Sequence, residues 1–199
     1  MSNESREILA LIVDYAKTWK TLLQYDNEII PIPAGTPSTY VLKYKSAISD
    51  IGKMKQALIK KGEATSLFGQ EHGEAFKGIL GNIDQTMFGE PLYKSAEEKS
   101  ANLFYFIIKD HPFSDGNKRI ASFMFLRYMQ GQKIKIQINP DALTALALLV
   151  AESDPCNKNL MIHLTINSIV EHQELAIDNA KVREKLSQPK RNNDLSPYG

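Results

Sequence analysis

His111-Pro112-Phe113-Ser114-Asp115-Gly116-Asn117-Lys118-Arg119 sets an imidazole, a carboxylate, a glycine, an amide and a guanidinium within nine residues. An apolar segment leads in and another leads out, so the stretch reads as the joint between two helices. Proline disfavours helical backbone in the residue before it, so the incoming helix should stop near Asp110 and His111 should be extended. The run Ser114-Asp115-Gly116-Asn117 then reads as a turn that caps a new helix. The free N–H groups of that helix's first turn make an anion site. Gly116, without a Cβ, would let the backbone approach a ligand closely. Arg119 falls in the first turn, where a forked guanidinium can grip phosphate oxygens. Asp115 sits oddly beside a phosphate unless a cation lies between them, and a carboxylate plus phosphate oxygens is a usual Mg²⁺ donor set. His111 at the mouth of the site can take a proton at neutral pH.

The rest of the chain narrows the class. A chain of 199 residues, 43% hydrophobic, suits one domain or one domain with a helical extension. A net charge of +1 gives no electrostatic case for a nucleic-acid partner. One cysteine, Cys156, excludes an internal disulfide and fits a reducing compartment; a small buried apolar role is expected for it. The start lacks a basic n-region and an apolar core. The longest apolar run, Ala142 to Ala151, is far short of the about 20 residues a membrane span needs. The expectation is a soluble, cytoplasmic protein without a membrane partner, although a secreted effector with an uncleaved signal has the same composition.

Helical periodicity organises the remainder. Residues 6–25 read as an amphipathic helix whose aromatic stripe, Tyr15 and Trp19, belongs to a core. Residues 26–37, rich in proline, form a loop, and a second helix is expected from about Thr39 to Lys61 with a solvated lysine face. A glycine-weakened helix covers 71–85, with His72 on the surface. Ser95-Ala96-Glu97-Glu98 is a capping box opening the helix into the motif. The helix after the motif, about Asn117 to Gln130, is apolar almost all round and should lie at the centre of the domain, stopped by Gly131. Lys133 to Ile138 alternates and fits a short strand or an extended connector. Asn139-Pro140-Asp141 starts another helix, and Asp154-Pro155 the last one, with His163 and His172 as ordinary helix residues. The tail from Ser187 reads as frayed. Between Gln85 and Tyr93, two readings stand level on the residues alone: a hairpin around a Gly-Glu turn, or a plain loop with Met87 and Phe88 tucked into the core.

The nine motif residues match, position for position, the signature His-Pro-Phe-x-Asp/Glu-Gly-Asn-Gly/Lys-Arg of Fic-domain proteins, so the chain resembles the Fic/Doc family. The resemblance implies an all-α helical bundle with a short β-hairpin flap. It places a helical extension at 1–65, the Fic core at 66–175, and a helix end with a flexible tail at 176–199. It also implies a protein adenylyltransferase that moves AMP from ATP to a Ser, Thr or Tyr hydroxyl of a target protein. By that resemblance His111 is the base and Asp115 holds Mg²⁺. Ser114, Gly116, Asn117, Lys118 and Arg119 form the nucleotide- and phosphate-binding stretch, with Asn117 on the α-phosphate, Arg119 on the β-phosphate and no catalytic role for Lys118. The flap Thr86, Met87, Phe88, Gly89, Glu90 would dock an extended target segment through its main chain. The Doc branch, a phosphotransferase, has alanine where this chain has Gly116, so glycine favours nucleotidyl transfer.

Two departures stand out. A second arginine, common three residues after the first and used to orient a γ-phosphate, is Ser122 here. The autoinhibitory Ser/Thr-x-x-x-Glu-Gly/Asn motif that pairs with it has no match; the nearest fragment, Ser46 to Asp50, carries aspartate. The expectation is a chain that does not restrain itself by this device and relies instead on a separate antitoxin-like partner, another domain or no inhibitor. The competing readings are a Doc-type phosphotransferase and a non-catalytic module that only binds a nucleotide or phosphate. Treating His111 and Asp115 as mere caps leaves Gly116, Asn117 and Arg119 unexplained, and a metallohydrolase lacks a ligand cluster.

Overall fold

A computed structural model describes residues 8, 18–136 and 138–169. The architecture is helical with one small hairpin, as expected. Helical residues 18–26 (α1) are followed by α2 (Tyr44–Lys60), α3 (Ala75–Ile83), the strands β1 (Thr86–Met87) and β2 (Glu90–Pro91), α4 (Ala96–Asp110), α5 (Asn117–Gly131), α6 (Pro140–Glu152) and, after a 3₁₀ turn at Pro155–Asn157, helical residues 158–169 (α7).

The centre of the molecule is α4 rather than α5 alone. Eleven of its fifteen residues are buried, including Glu97, Lys99, Ser100 and Asn102. Each of these polar groups has a partner, which is what allows them inside. Glu97 accepts from the Thr36 N–H (2.7 Å) and hydroxyl (3.0 Å), and Lys99 pairs with Asp84 at 2.6 Å. Ser100 donates to the Glu97 carbonyl (3.0 Å) and Asn102 to the Glu98 carbonyl (2.9 Å). The capping box starts the helix as read: the Glu98 N–H donates to Ser95 Oγ and the Ser95 N–H donates to Glu98 Oε2, each at 3.0 Å. Against α4 lies α5, with Phe104 and Phe125 ring centroids 5.5 Å apart. One face of α5 stays out, with Leu126 exposed, so its apolar circumference overstates its burial.

Several boundaries move for identifiable reasons. α2 begins at Tyr44, not Thr39, because the Gln132 amide holds the preceding chain extended. Its Oε1 accepts from the Thr39 and Tyr40 N–H groups (3.1 and 3.2 Å), and its Nε2 donates to the Tyr40 carbonyl at 3.2 Å. Gly131 is the last residue of α5 and does not stop it by a left-handed turn; a Cβ there would sit 2.4–2.6 Å from the Tyr40 ring. The left-handed conformation falls on Lys133 (φ 60°). α2 is tied to α5 by Asp50, which accepts from Arg127 Nε at 2.9 Å. The Arg127 hydrogen bond, with Lys53 adding to it, holds that carboxyl below its usual range.

α6 is capped as read, with Asn139 Oδ1 accepting from the Asp141 N–H at 2.7 Å and Pro140 first in the helix. After the turn at Lys133, residues 134–136 and 138 form an irregular connector whose isoleucines pack partly buried on the core. His163 Nδ1 donates to the Ile30 carbonyl (2.8 Å), so α7 straps the segment after α1; His172 and Tyr15 lie outside the described residues. Two expectations fail. Cys156 is exposed, because it sits in the 3₁₀ turn capped by Asp154, ahead of the buried face of α7. Trp19 is 46% exposed and is not among the residues packed on the core.

Candidate active site

The motif joins the two most central helices. α4 ends at Asp110, and His111 follows in the left-handed region (φ 47°, ψ 57°), not extended. The restriction imposed by Pro112 removes the right-handed helix. The need to reverse the chain between α4 and α5 then selects the left-handed residue with which helices commonly end. Phe113 is buried, its ring 5.1 Å from that of Phe76, and it anchors the turn from below. The carboxyl of Asp110 is pushed up by burial, while Lys158 and His111 pull it down.

Main-chain hydrogen bonds hold the loop on one side. The Gly69 N–H donates to the Asp115 carbonyl (3.0 Å), the Ser114 N–H to the Gln70 carbonyl (2.8 Å) and the His72 N–H to the Pro112 carbonyl (2.9 Å). Residues 68–72 thus form a strap along the motif. Sequence reading missed it and carried the following helix back to 71, whereas α3 starts at Ala75. From the other side Asn117 closes the loop. Its Oδ1 accepts from the Phe113 N–H (3.0 Å) and its Nδ2 donates to the Phe113 carbonyl (2.7 Å).

The helix N-terminus above this loop is open. Gly116 is the N-cap of α5 at φ 87°, and no side chain caps the helix, so the polar run does not close it as expected. The first turn borders a cavity of about 370 Å³ lined by His111, Ser114, Asp115, Gly116, Asn117, Lys118 and Arg119. The glycine is required for a reason other than ligand approach: a Cβ would lie 2.3–3.0 Å from atoms of the Phe68 ring, and the positive φ disfavours any side chain. Arg119 donates from Nη1 to the Glu63 carbonyl (2.8 Å), and its Nη2 lies 3.6 Å from Asp115 Oδ2. Ser122 faces a neighbouring, mostly apolar cavity of about 650 Å³ that also touches Lys118 and Arg119.

The segment 85–93 is a hairpin. Thr86 pairs with Pro91 and Met87 with Glu90. Phe88 (φ 53°) and Gly89 (φ 85°) supply the two positive φ angles that a two-residue type I′ turn needs. Phe88 is 98% exposed and Met87 is 58% exposed, which removes the reading with both tucked into the core.

Residues 44–129 match the family model described as the Fic/DOC family. The chain carries a Fic/DOC family domain. No curated protein and no solved structure matches it. Fic/DOC proteins are typically nucleotidyl- or phosphotransferases, generally use a nucleotide with Mg²⁺, and act on protein targets. The match starts at α2 and ends in α5, so it covers the motif, the strap and the hairpin of this Fic domain. The donor set suits Mg²⁺. Asp115 is a half-exposed carboxylate on the cavity, and no group of three or more metal-ligating side chains occurs among the described residues, so phosphate oxygens would complete the shell. Among the described residues no helix is long and apolar enough to cross a membrane.

Proposed function

We propose that this Fic domain is a protein adenylyltransferase, transferring AMP from ATP to a Ser, Thr or Tyr hydroxyl of a target protein. The observation that carries the reading is one cavity lined by both the His111 imidazole and the uncapped N-terminus of α5. The N–H groups of that terminus bind phosphate oxygens and supply fixed positive ends of peptide dipoles where negative charge builds in transfer. Asn117 serves through its hold on Phe113, which keeps those N–H groups aimed; Arg119 binds the β-phosphate with the donors left beyond Glu63. Lys118 and Ser114 lie at the rim. Mg²⁺, bound by Asp115 and the nucleotide, would neutralise phosphate charge. His111 takes the proton of the target hydroxyl as that oxygen attacks the α-phosphorus, and pyrophosphate leaves. Little else is asked of the protein than positioning and charge.

By the family resemblance, glycine at 116 goes with AMP transfer and alanine with the phosphoryl transfer of the Doc branch, and labelled ATP decides between them. Incubation with a cell lysate should attach the α-phosphate label to protein; attachment of the γ label instead would assign the phosphotransferase reaction. Lacking Ser/Thr-x-x-x-Glu-Gly/Asn, the chain should also modify itself with ATP and Mg²⁺ when no partner is present. Restraint would then come from a separate antitoxin-like partner, from another domain, or from no inhibitor at all. Intact mass measures this, and an unchanged mass after long incubation counts against an unrestrained enzyme.

The hairpin Thr86, Met87, Phe88, Gly89, Glu90 is the proposed target-docking flap. An aromatic ring held wholly in water on a left-handed residue serves no folding purpose, whereas such rings are the usual anchors of an interface. Phe88→Ser should leave melting temperature and self-modification intact and reduce labelling of the lysate target about tenfold or more. Equal loss of both activities would show that the residue acts within the domain.

A further inference from the structure

We propose that Phe68 is a positioning residue of the phosphate cradle, acting through Gly116 and Arg119. The inference rests on the adenylyltransferase reading above. Phe68 is fully buried, yet its ring is the surface on which two motif residues rest. The Gly116 backbone lies so close that no Cβ fits between them. The Arg119 guanidinium carbon stands 4.7 Å from the centre of the same ring, within cation–π range. Phe68 is itself fixed on the strap: it bridges to Asp115, and the next residue, Gly69, donates to the Asp115 carbonyl. Gly69 is left-handed (φ 67°), and a Cβ on it would meet Ile51 of α2 at 2.8 Å, so the strap is wedged between α2 and the motif.

A free arginine side chain samples many rotamers, and ordering it on binding opposes affinity. Here the guanidinium carbon lies over the ring and one nitrogen is tied to Glu63, so the position of the group is set before a phosphate arrives. The ring also explains why position 116 is glycine, through packing from below and not through ligand approach from above.

The test is titration of ATP with Mg²⁺ into the full chain carrying His111→Ala, a change chosen to prevent turnover. Phe68→Leu should weaken binding about three- to tenfold while a cooperative thermal transition is kept. In an Arg119→Ala background the same change should cost clearly less, since only the Gly116 contact is left for it to act through. In the active chain Phe68→Leu should raise KM for ATP with kcat nearly unchanged; a merely structural role would lower the active fraction, and so kcat, at constant KM. If Phe68→Leu does not fold, Phe68→Met is read by the same criteria. Unchanged affinity, or an equal loss with and without Arg119, overturns the positioning role while ATP binding by the parent leaves the function intact. No ATP binding by the parent overturns both.

Discussion

His111→Ala is expected to lower AMP transfer by about a hundred- to ten-thousand-fold, the range for a positioned general base, with ATP binding retained. The two halves of that expectation come from different parts of the site. The anion-binding N–H groups belong to α5 and are aimed by Asn117 and the strap through hydrogen bonds to the motif backbone. The proton acceptor belongs to the end of α4 and lines the same cavity. Paired measurements of transfer rate and nucleotide affinity check the separation. A variant that loses both together would make His111 a structural residue of the turn, as its left-handed backbone alone would allow. A variant that keeps both nucleotide binding and biological effect would leave the non-catalytic binding module as the better reading.

Phe113→Ala should be the most destabilising change in the motif, at about 3–5 kcal/mol. The ring is 1% exposed and packs on Phe76, which in turn meets Tyr44 of α2. Domains of this kind are stable by only about 5–15 kcal/mol, so the loss takes a large share of the total. Its effect on function should exceed its effect on the fold. Both hydrogen bonds of the Asn117 side chain end on the Phe113 backbone. Without the ring, that backbone loses its anchor and the start of α5 loses its fixed aim. Urea unfolding should show the fall in stability. ATP affinity measured where the variant is still folded should fall as well; affinity equal to the parent's would mean that Asn117 and the strap suffice to hold the loop.

The sequence carried the chemistry more clearly than the scaffold. The helix break at Asp110, the Ser95 cap, the Asn139-Pro140 start and the motif itself depend on local rules that act within a few residues, and these were readable. The central place of α4 was hidden because Glu97, Lys99, Ser100 and Asn102 look like a solvated face until their partners Thr36, Asp84 and neighbouring carbonyls are known. The conformation of His111 was misjudged because the pre-proline rule forbids one region without choosing between the others. Gly116 was assigned to ligand approach because its true neighbour, Phe68, lies 48 positions away in a segment with no periodic pattern. The hairpin stood level with a buried loop on sequence, since Met87 and Phe88 are residue types that ordinarily seek a core.

The strap grips the motif through amide and carbonyl groups that every residue type except proline can offer. Gln70 and His72 are therefore free to drift in identity while their task is unchanged, provided the chain keeps its course. Evolution can rewrite those two positions letter by letter without disturbing the machinery beside them, whereas Phe68 and Gly69 are held to their identities by what they touch. The nine-residue motif would then stay recognisable between distant cousins after much of its support had become illegible in an alignment.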